Sequence, residues 1–285
     1  MAISIKYGRT YHFPFSPGTT SDDRIYSDYW HSFSNIPFLI HTEKMDGENN
    51  CLSKAGVFAR SHAAPTTSPW TEQLRQRWQL IKHDLGDLEL FGENLYAVHS
   101  IEYRTLPAHF FVFGVRHHDV WLSWEETAFY AACFDFPCVP VLETVQMPVA
   151  KEVFEANVLR WAQRQSGFDS FDVATQQPCS MEGVVTRNAN EYAVEAFAAN
   201  VCKYVRNLDA QAKEVVWAAA ILHLFLCSQK ISGAILKVGL IVKKGLYNYL
   251  FDRFSMIFNR VSKRIIGMPL NVSNESKSDL SPVTR

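Results

Sequence analysis

The sequence predicts an α+β protein whose body consists of helices packed on antiparallel sheets, followed by a helical C-terminal appendage. Three observations carry this. Short apolar or alternating stretches bounded by Gly, Asn and Asp recur between Phe38 and Gly114. Segments with helix start signals or helical spacing are interleaved with them, and the charge changes sign near residue 203. With 285 residues, 47% hydrophobic and 20% charged, the chain can bury a full core and form one large domain plus an appendage.

Phe38-Leu39-Ile40, Val57-Phe58-Ala59 and Phe110-Phe111-Val112-Phe113 suit antiparallel strands, being short, β-branched or aromatic, and closed by turn residues. Ser68-Pro69 opens a helix that places Trp70, Leu74, Trp78, Ile81 and Leu85 on one face and ends at Gly86. Ser123-Trp124-Glu125-Glu126 is a capping box that starts a second helix, because the serine and the glutamate can satisfy each other's backbone N–H groups. Glu152 to Gln165 reads as a third, with Phe154, Val158 and Trp161 spaced for burial. Pro137, Pro140 and Pro148 mark the connection between the second and third helices.

Residues 1–202 hold 15 Lys and Arg against 24 Asp and Glu, whereas 203–285 hold 13 against 5. The net charges of −9 and +8 are hidden in a whole-chain value of −1. The basic part interleaves Lys237, Lys243, Lys244, Arg253 and Arg260 with Leu236, Leu240, Leu246, Leu250 and Ile257, the pattern of amphipathic helices with a cationic face. Domain limits follow: a body over 1–209, a basic helical region over 210–270, and a Ser- and Asn-rich end over 271–285 that reads as disordered. The basic region could grip RNA phosphates, pack against a protein, or rest on an anionic membrane surface, in that order of preference. Its longest apolar stretch, Val215 to Cys227, falls short of the roughly 20 residues of a membrane span.

The opening Met1-Ala2-Ile3-Ser4-Ile5-Lys6 has no basic region followed by a long apolar run, so no secretory signal is expected. Cys51, Cys133, Cys138, Cys179, Cys202 and Cys227 show neither zinc-site spacing nor a disulfide framework. Free thiols and a cytoplasmic location are the expectation.

Chemistry concentrates in three ordered motifs. The first is His41-Thr42-Glu43-Lys44-Met45-Asp46-Gly47-Glu48-Asn49, the second Met181-Glu182-Gly183-Val184-Val185, and the third Cys202-Lys203-Tyr204-Val205-Arg206. A lysine beside an Asp-Gly turn is, alone, a common solvated hairpin lysine. Glu182 is harder to place as a bystander, since a carboxylate opening an apolar strand is costly to bury unless paired or metal-bound.

In this order the motifs resemble those of the ATP-dependent RNA ligases, members of the covalent nucleotidyltransferase superfamily, and in particular the phage-type nick-sealing RNA ligases and their bacterial relatives. The resemblance implies an antiparallel-sheet adenylation domain with a nucleotide cleft, ATP as cosubstrate and Mg2+ or Mn2+ as cofactor. Lys44 would attack the α-phosphate of ATP and carry AMP as a phosphoramidate. Such a lysine must be neutral, so its pKa is expected to fall through desolvation or nearby positive charge. Glu182 would hold the metal, and Lys203 and Arg206 the phosphates; which of the two reaches them is open, because Lys-x-x-Arg departs from the common Lys-x-Lys spacing. Asp46 would shape the turn. Glu43 would lie against adenine, Asn49 near the phosphate, and Glu93 of Phe91-Gly92-Glu93-Asn94-Leu95 on the ribose. Arg60 of Ala59-Arg60-Ser61 would place the 3′-hydroxyl strand. Phe110, with Phe113 as the alternative, would stack on adenine.

The partner implied is RNA, as a nicked duplex, a broken tRNA loop or single-stranded ends. The helical tail, in place of the oligonucleotide-binding barrel usual in DNA ligases and capping enzymes, favours RNA over DNA. A DNA ligase of the same superfamily and a non-catalytic nucleotide- or RNA-binding relative remain the alternatives.

Overall fold

The computed structural model describes residues 6–207. The appendage expected over 210–270 and the disordered end expected over 271–285 lie outside the described residues, as does Cys227.

In chain order the elements are β1 (Tyr11–His12), α1 (Tyr29–Phe33), β2 (Phe38–Lys44), β3 (Glu48–Ser53), β4 (Gly56–Ala59), α2 (Glu72–Ile81), β5 (Leu88–Asn94), β6 (Ile101–Tyr103), β7 (Phe110–His117), β8 (Val120–Trp121) and α3 (Trp124–Cys133). After these come β9 (Val141–Gln146), α4 (Lys151–Ala162), β10 (Ser170–Asp172), β11 (Gly183–Asn188), β12 (Tyr192–Ala193), α5 (Phe197–Asn200) and β13 (Val201–Val205). One sheet has the order β1-β13-β11-β2-β9, a second β12-β8-β7-β5-β3-β4, and β6 pairs with β10. All pairings are antiparallel except β1 on β13.

Three apolar clusters set the layers. Phe13, Tyr29, Phe33, Leu39, Phe154, Val158, Val184 and Cys202 join α1 and α4 to one face of the first sheet. Met45, Cys51, Phe91, Leu95, Phe111, Phe113, Trp121 and Val201 fill the space between the two sheets. Leu52, Leu74, Ile81, Leu85, Leu90, Phe110, Val112 and Ala131 lie under α2 and α3 on the outer face of the second sheet. Each fully buried Leu, Val or Phe contributes on the order of 1.5–3 kcal/mol by leaving water.

Local signals explain the elements. Ser68 accepts from the Trp70 N–H and opens a single 3-10 turn with Pro69 at its first position, after which α2 runs from Glu72. Leu74 and Ile81 of α2 are buried, and Trp78 Nε1 donates to Ser53 O at 2.7 Å. The chain leaves this helix through Gly86 at φ +55, a left-handed conformation that glycine adopts without a Cβ clash. Both halves of the Ser123–Glu126 capping box are formed at α3. The third helix begins at Lys151, one residue before the expected start.

β9 lies where the sequence suggested only a proline-marked connection. It is an edge strand with Val145 as its one buried residue, so it carries little hydrophobic alternation to read. The N-terminal segment around β1, which pairs in parallel with β13, likewise gave no strand signal. No helix among the described residues is long and apolar enough to cross a membrane.

Candidate active site

Lys44 is the last residue of β2, and the β11 register sets Gly183 directly opposite it. Gly183 also pairs with Val205 of β13, and a Cβ on it would sit 1.9 Å from Tyr204 O. Only glycine permits this close approach of three strand ends, and that approach brings the groups on either side of Gly183 together. Glu182 therefore reaches Lys44: the lysine Nζ donates to Glu182 Oε2 at 2.5 Å, with the two side chains 23% and 11% exposed. The Glu182 carbonyl in turn accepts from the Arg206 N–H at 3.0 Å.

The second sheet supplies the opposite wall. After Lys44 the chain turns through Asp46-Gly47 into β3, where Asn49 pairs with Glu93 of β5 and Glu93 with Phe111 of β7. Glu93 Oε1 accepts from the Gly47 N–H at 3.1 Å, closing the turn against β5. Asp46 Oδ2 accepts from Ser100 N at 2.7 Å, Ser100 Oγ at 2.5 Å and Ile101 N at 2.9 Å, and the Asp46 N–H donates to Tyr103 Oη at 3.0 Å. With that many partners Asp46 is an anchor for the turn.

The charges do not follow the sequence expectation at Lys44. Burial alone would lower its pKa, but the Glu182, Glu93 and Asp46 carboxylates outweigh it and hold the pKa above the usual lysine value. The cost appears on the acids. Burial, set against the attraction of Lys44, raises the Glu182 carboxyl and pushes Glu93 up to about 8. At neutral pH the cluster thus holds one ammonium against Glu182, with Glu93 largely protonated.

Lys203 faces the same cleft: it pairs with Val185, which pairs with Thr42, two residues before Lys44 on the same side of β2. Burial, with Lys44 nearby, lowers the Lys203 pKa, and Asp23 opposes that shift. Arg206 follows the end of β13, and alternation sends it to the other face; its Nε and Nη2 are buried without hydrogen-bond partners. Glu43 alternates with Lys44 on β2 but lies close enough to Tyr103 to act on it together with Asp46 and Glu182. Its pKa is pushed up to about 7 by burial, with only partial relief from Ser166, and its Oε1 is unpartnered, as is the Oδ1 of Asn49. Arg60 lies just beyond β4 and is exposed.

The phenylalanines divide by face. Phe110 belongs to the outer cluster, its ring against Gly92 and 5.2 Å from Phe136, so the expected stacking role is not open to it on the Lys44 side. Phe113 does face the space between the sheets, together with Phe111, which the sequence reading passed over. The bulge between Phe91 and Gly92 shifts the β5–β7 register locally, and no simple strand pattern shows which rings turn inward. Also missed were His12 and Asp23, both close to Lys203; the Thr20-x-x-Asp23 spacing of a side-chain-capped turn was the available signal.

The donor set can be tested against a nucleotide and a metal. Buried polar atoms left without partners cost about 1–3 kcal/mol each, so the free atoms of Glu43 and Asn49 suit a polar ligand that would satisfy them. Among the described residues no group of three or more His, Cys, Asp and Glu is placed to hold a metal ion. Glu182 and Glu93 offer one or two carboxylates, which fits magnesium shared with phosphate oxygens and water and does not fit an all-protein cage.

A family model described as RNA ligase matches residues 37–205, and the chain belongs to that family. Among solved structures it is similar to an apo mutant of the Naegleria gruberi RNA ligase, at 16% identity and a TM-score of 0.44 over 64% of this chain and 52% of that one. A second mutant of the same ligase, with ATP and Mn, gives 17% identity and a TM-score of 0.45 over 71% and 59%. The chain thus spans between half and two thirds of the length of these ligases. No curated protein sequence matches it.

Proposed function

We propose that this chain is an ATP-dependent RNA ligase that joins 5′-phosphate and 3′-hydroxyl ends through a lysyl-AMP intermediate on Lys44. The observation that carries the reading is the Lys44–Glu182 pair at 2.5 Å, set at the meeting of three strand ends with Lys203 on the same face. A lysine buried in this way serves no hairpin solvation, and a family of ligases has a use for it.

Lys44 enters as an ammonium held by Glu182. Its proton must leave before attack; Glu182 would hold a divalent cation, whose positive charge would lower the lysine pKa. The free amine then forms an Nζ–P bond at the α-phosphate while the bond to the β-phosphate oxygen breaks and pyrophosphate departs. Next an oxygen of the RNA 5′-phosphate attacks the same phosphorus, and the Nζ–P bond breaks with a proton returning to Lys44. The 3′-hydroxyl finally attacks the 5′-phosphorus, loses its proton, and releases AMP.

Lys203, on the Lys44 face of the sheet, meets the negative charge that spreads over the phosphates. Asn49 lies toward the phosphate, Glu93 takes the ribose hydroxyl, Glu43 the adenine edge, and Phe113 the adenine face. Arg60, exposed beyond β4, is free to meet the 3′-hydroxyl strand. The acidic body gives a polyanion little attraction, so the basic 203–285 segment supplies the grip on RNA phosphates.

Incubation with α-labelled ATP and magnesium, then denaturing electrophoresis, tests the first step. The wild-type chain should carry label, and Lys44→Ala and Lys44→Arg should carry none, because a guanidinium stays protonated. Label retained by either variant would place the nucleophile elsewhere.

A further inference from the structure

Lys203 does not stand alone on its strand. The segment before residue 37, outside the region that matches the RNA ligase family, folds back along β13. Tyr11 and His12 pair in parallel with Cys202 and Lys203, and the Gly18 N–H donates to Val205 O at 2.9 Å. A Cβ on Gly18 would meet Arg206 O at 2.3 Å, so the crossing is as tight as backbones permit. Ser16 Oγ accepts from the Val205 N–H at 2.9 Å and lies 2.9 Å from His12 Nδ1.

This strap ends in Asp23, whose two oxygens have separate tasks. Oδ2 accepts from the backbone N–H of Thr20 at 3.0 Å and from its hydroxyl at 2.9 Å. Oδ1 faces Lys203 Nζ at 3.3 Å and His12 Nε2 at 3.1 Å. Burial first, then the Lys203 charge, depresses the His12 pKa to about 4, so the ring is neutral at physiological pH. Its Nδ1 lies 2.9 Å from Ser16 Oγ, and its Nε2 sits 3.1 Å from Asp23 Oδ1 as a close polar contact outside hydrogen-bond geometry. Ser16 is itself buried behind Val205 and bonded to its backbone, so it is no nucleophile. Burial opposes ionisation of Asp23, but the two Thr20 donors, Lys203 and His12 hold its carboxyl well below the usual range. A fixed anion is therefore locked beside Lys203.

We propose that Asp23, braced by Thr20 and flanked by His12, is a positioning residue that keeps Lys203 charged and aimed at the nucleotide phosphates. The proposal rests on the reading of Lys203 as a phosphate-binding cation. Its physical basis is a deficit. Lys203 is half-buried beside a second ammonium, Lys44, and both act to strip its proton, whereas Glu182 and Asp23 restore it. Glu182 is already paired with Lys44 at 2.5 Å, so Asp23 is the counter-charge in hydrogen-bond contact with Lys203. Without it Lys203 would lose its proton at lower pH and wander from its place. The family's own region provides Lys203, and this chain's N-terminal strap provides the group that makes it a dependable cation.

The test uses the full chain and initial rates of α-labelled AMP transfer to protein, measured against ATP concentration and pH in magnesium. Asp23→Asn keeps the shape and the Thr20 contact through its carbonyl oxygen but removes the charge. It should raise the KM for ATP several-fold and move the alkaline limb of the rate profile down by about one pH unit or more, the usual size of a lost opposite charge at this range. Thr20→Val, at an exposed position, removes one of the two donors to Oδ2 and should shift the limb the same way by less. It also serves should Asp23→Asn fail to fold. Asp23→Glu, which restores a carboxylate, should recover part of the shift. A uniform loss of rate at every pH with unchanged KM, or profiles that superimpose on wild type, would overturn the proposal while leaving the ligase reading intact. No label on the wild-type protein would instead refute the ligase reading, and the proposal with it.

Discussion

Glu93→Gln should make this protein more stable and less active. In the wild type, burial drives the Glu93 pKa from 4.5 up to about 8, with Lys44 pulling down and Glu182 and Asp46 pushing up. A carboxyl raised on folding keeps its proton in the native state while the unfolded chain has already released it. The native state then binds more protons, and stability falls as pH rises from about 4.5 through about 8. At 1.36 kcal/mol per unit, the loss is on the order of 3 kcal/mol at pH 7 and 4–5 kcal/mol above pH 8. Glutamine never ionises, and its Oε1 can still accept from the Gly47 N–H as Glu93 does. The variant should match wild type near pH 4, gain roughly 3 kcal/mol at pH 7, and gain no more beyond pH 8 to 9. Glu43, raised to about 7 by burial, adds a similar slope to both proteins and drops out of the difference. Urea unfolding of both at pH 5, 7 and 9 measures it, with the AMP-transfer rate on the same preparations expected to fall because Glu93 is the proposed ribose contact. Parallel stability profiles across that range would refute the charge assignment in the cluster.

The other outcomes are more local. Arg60→Ala should leave AMP transfer to the protein within about twofold and reduce sealing of a nicked RNA duplex at least tenfold, because Arg60 is exposed beyond β4 and its proposed partner is the polynucleotide end; equal loss in both assays would contradict that proposal. Phe113→Ala should raise the KM for ATP, whereas Phe110→Ala should cost about 3–5 kcal/mol in unfolding free energy with KM little changed, since its ring fills the core under α2. The reverse pattern would return the adenine role to Phe110. Asp23→Asn should move the alkaline limb of AMP transfer as described, which a rate-versus-pH series reads directly.

The motifs were legible because each rests on a local rule. Lys44, Glu182 and Lys203 were singled out by residue type and order, and the strands that bring them together obey the alternation that the sequence displays. The Ser123–Glu126 box and the Ser68-Pro69 start are local in the same sense. What escaped depends on three-dimensional neighbours. Phe110 and Phe113 are both apolar strand residues, and a bulge at Phe91/Gly92 with two competing cores decides which one faces the cleft. The pKa of Lys44 was expected to fall from burial, but three carboxylates distant in sequence or across the turn reverse the sign. Asp23 sits 180 residues from Lys203 in the chain, joined to it through a two-residue parallel strand that carries no hydrophobic period.

The central claim is that Lys44 becomes covalently joined to AMP. The direct measurement is peptide mapping by mass spectrometry of the wild-type protein after incubation with ATP and magnesium, quenched before any RNA is added. An adenylyl group should appear on the peptide that contains Lys44, labile to acid as a phosphoramidate is and discharged when a 5′-phosphorylated RNA nick is supplied. An unmodified Lys44 peptide from a folded protein, or an adenylyl group on another lysine such as Lys203, would contradict it.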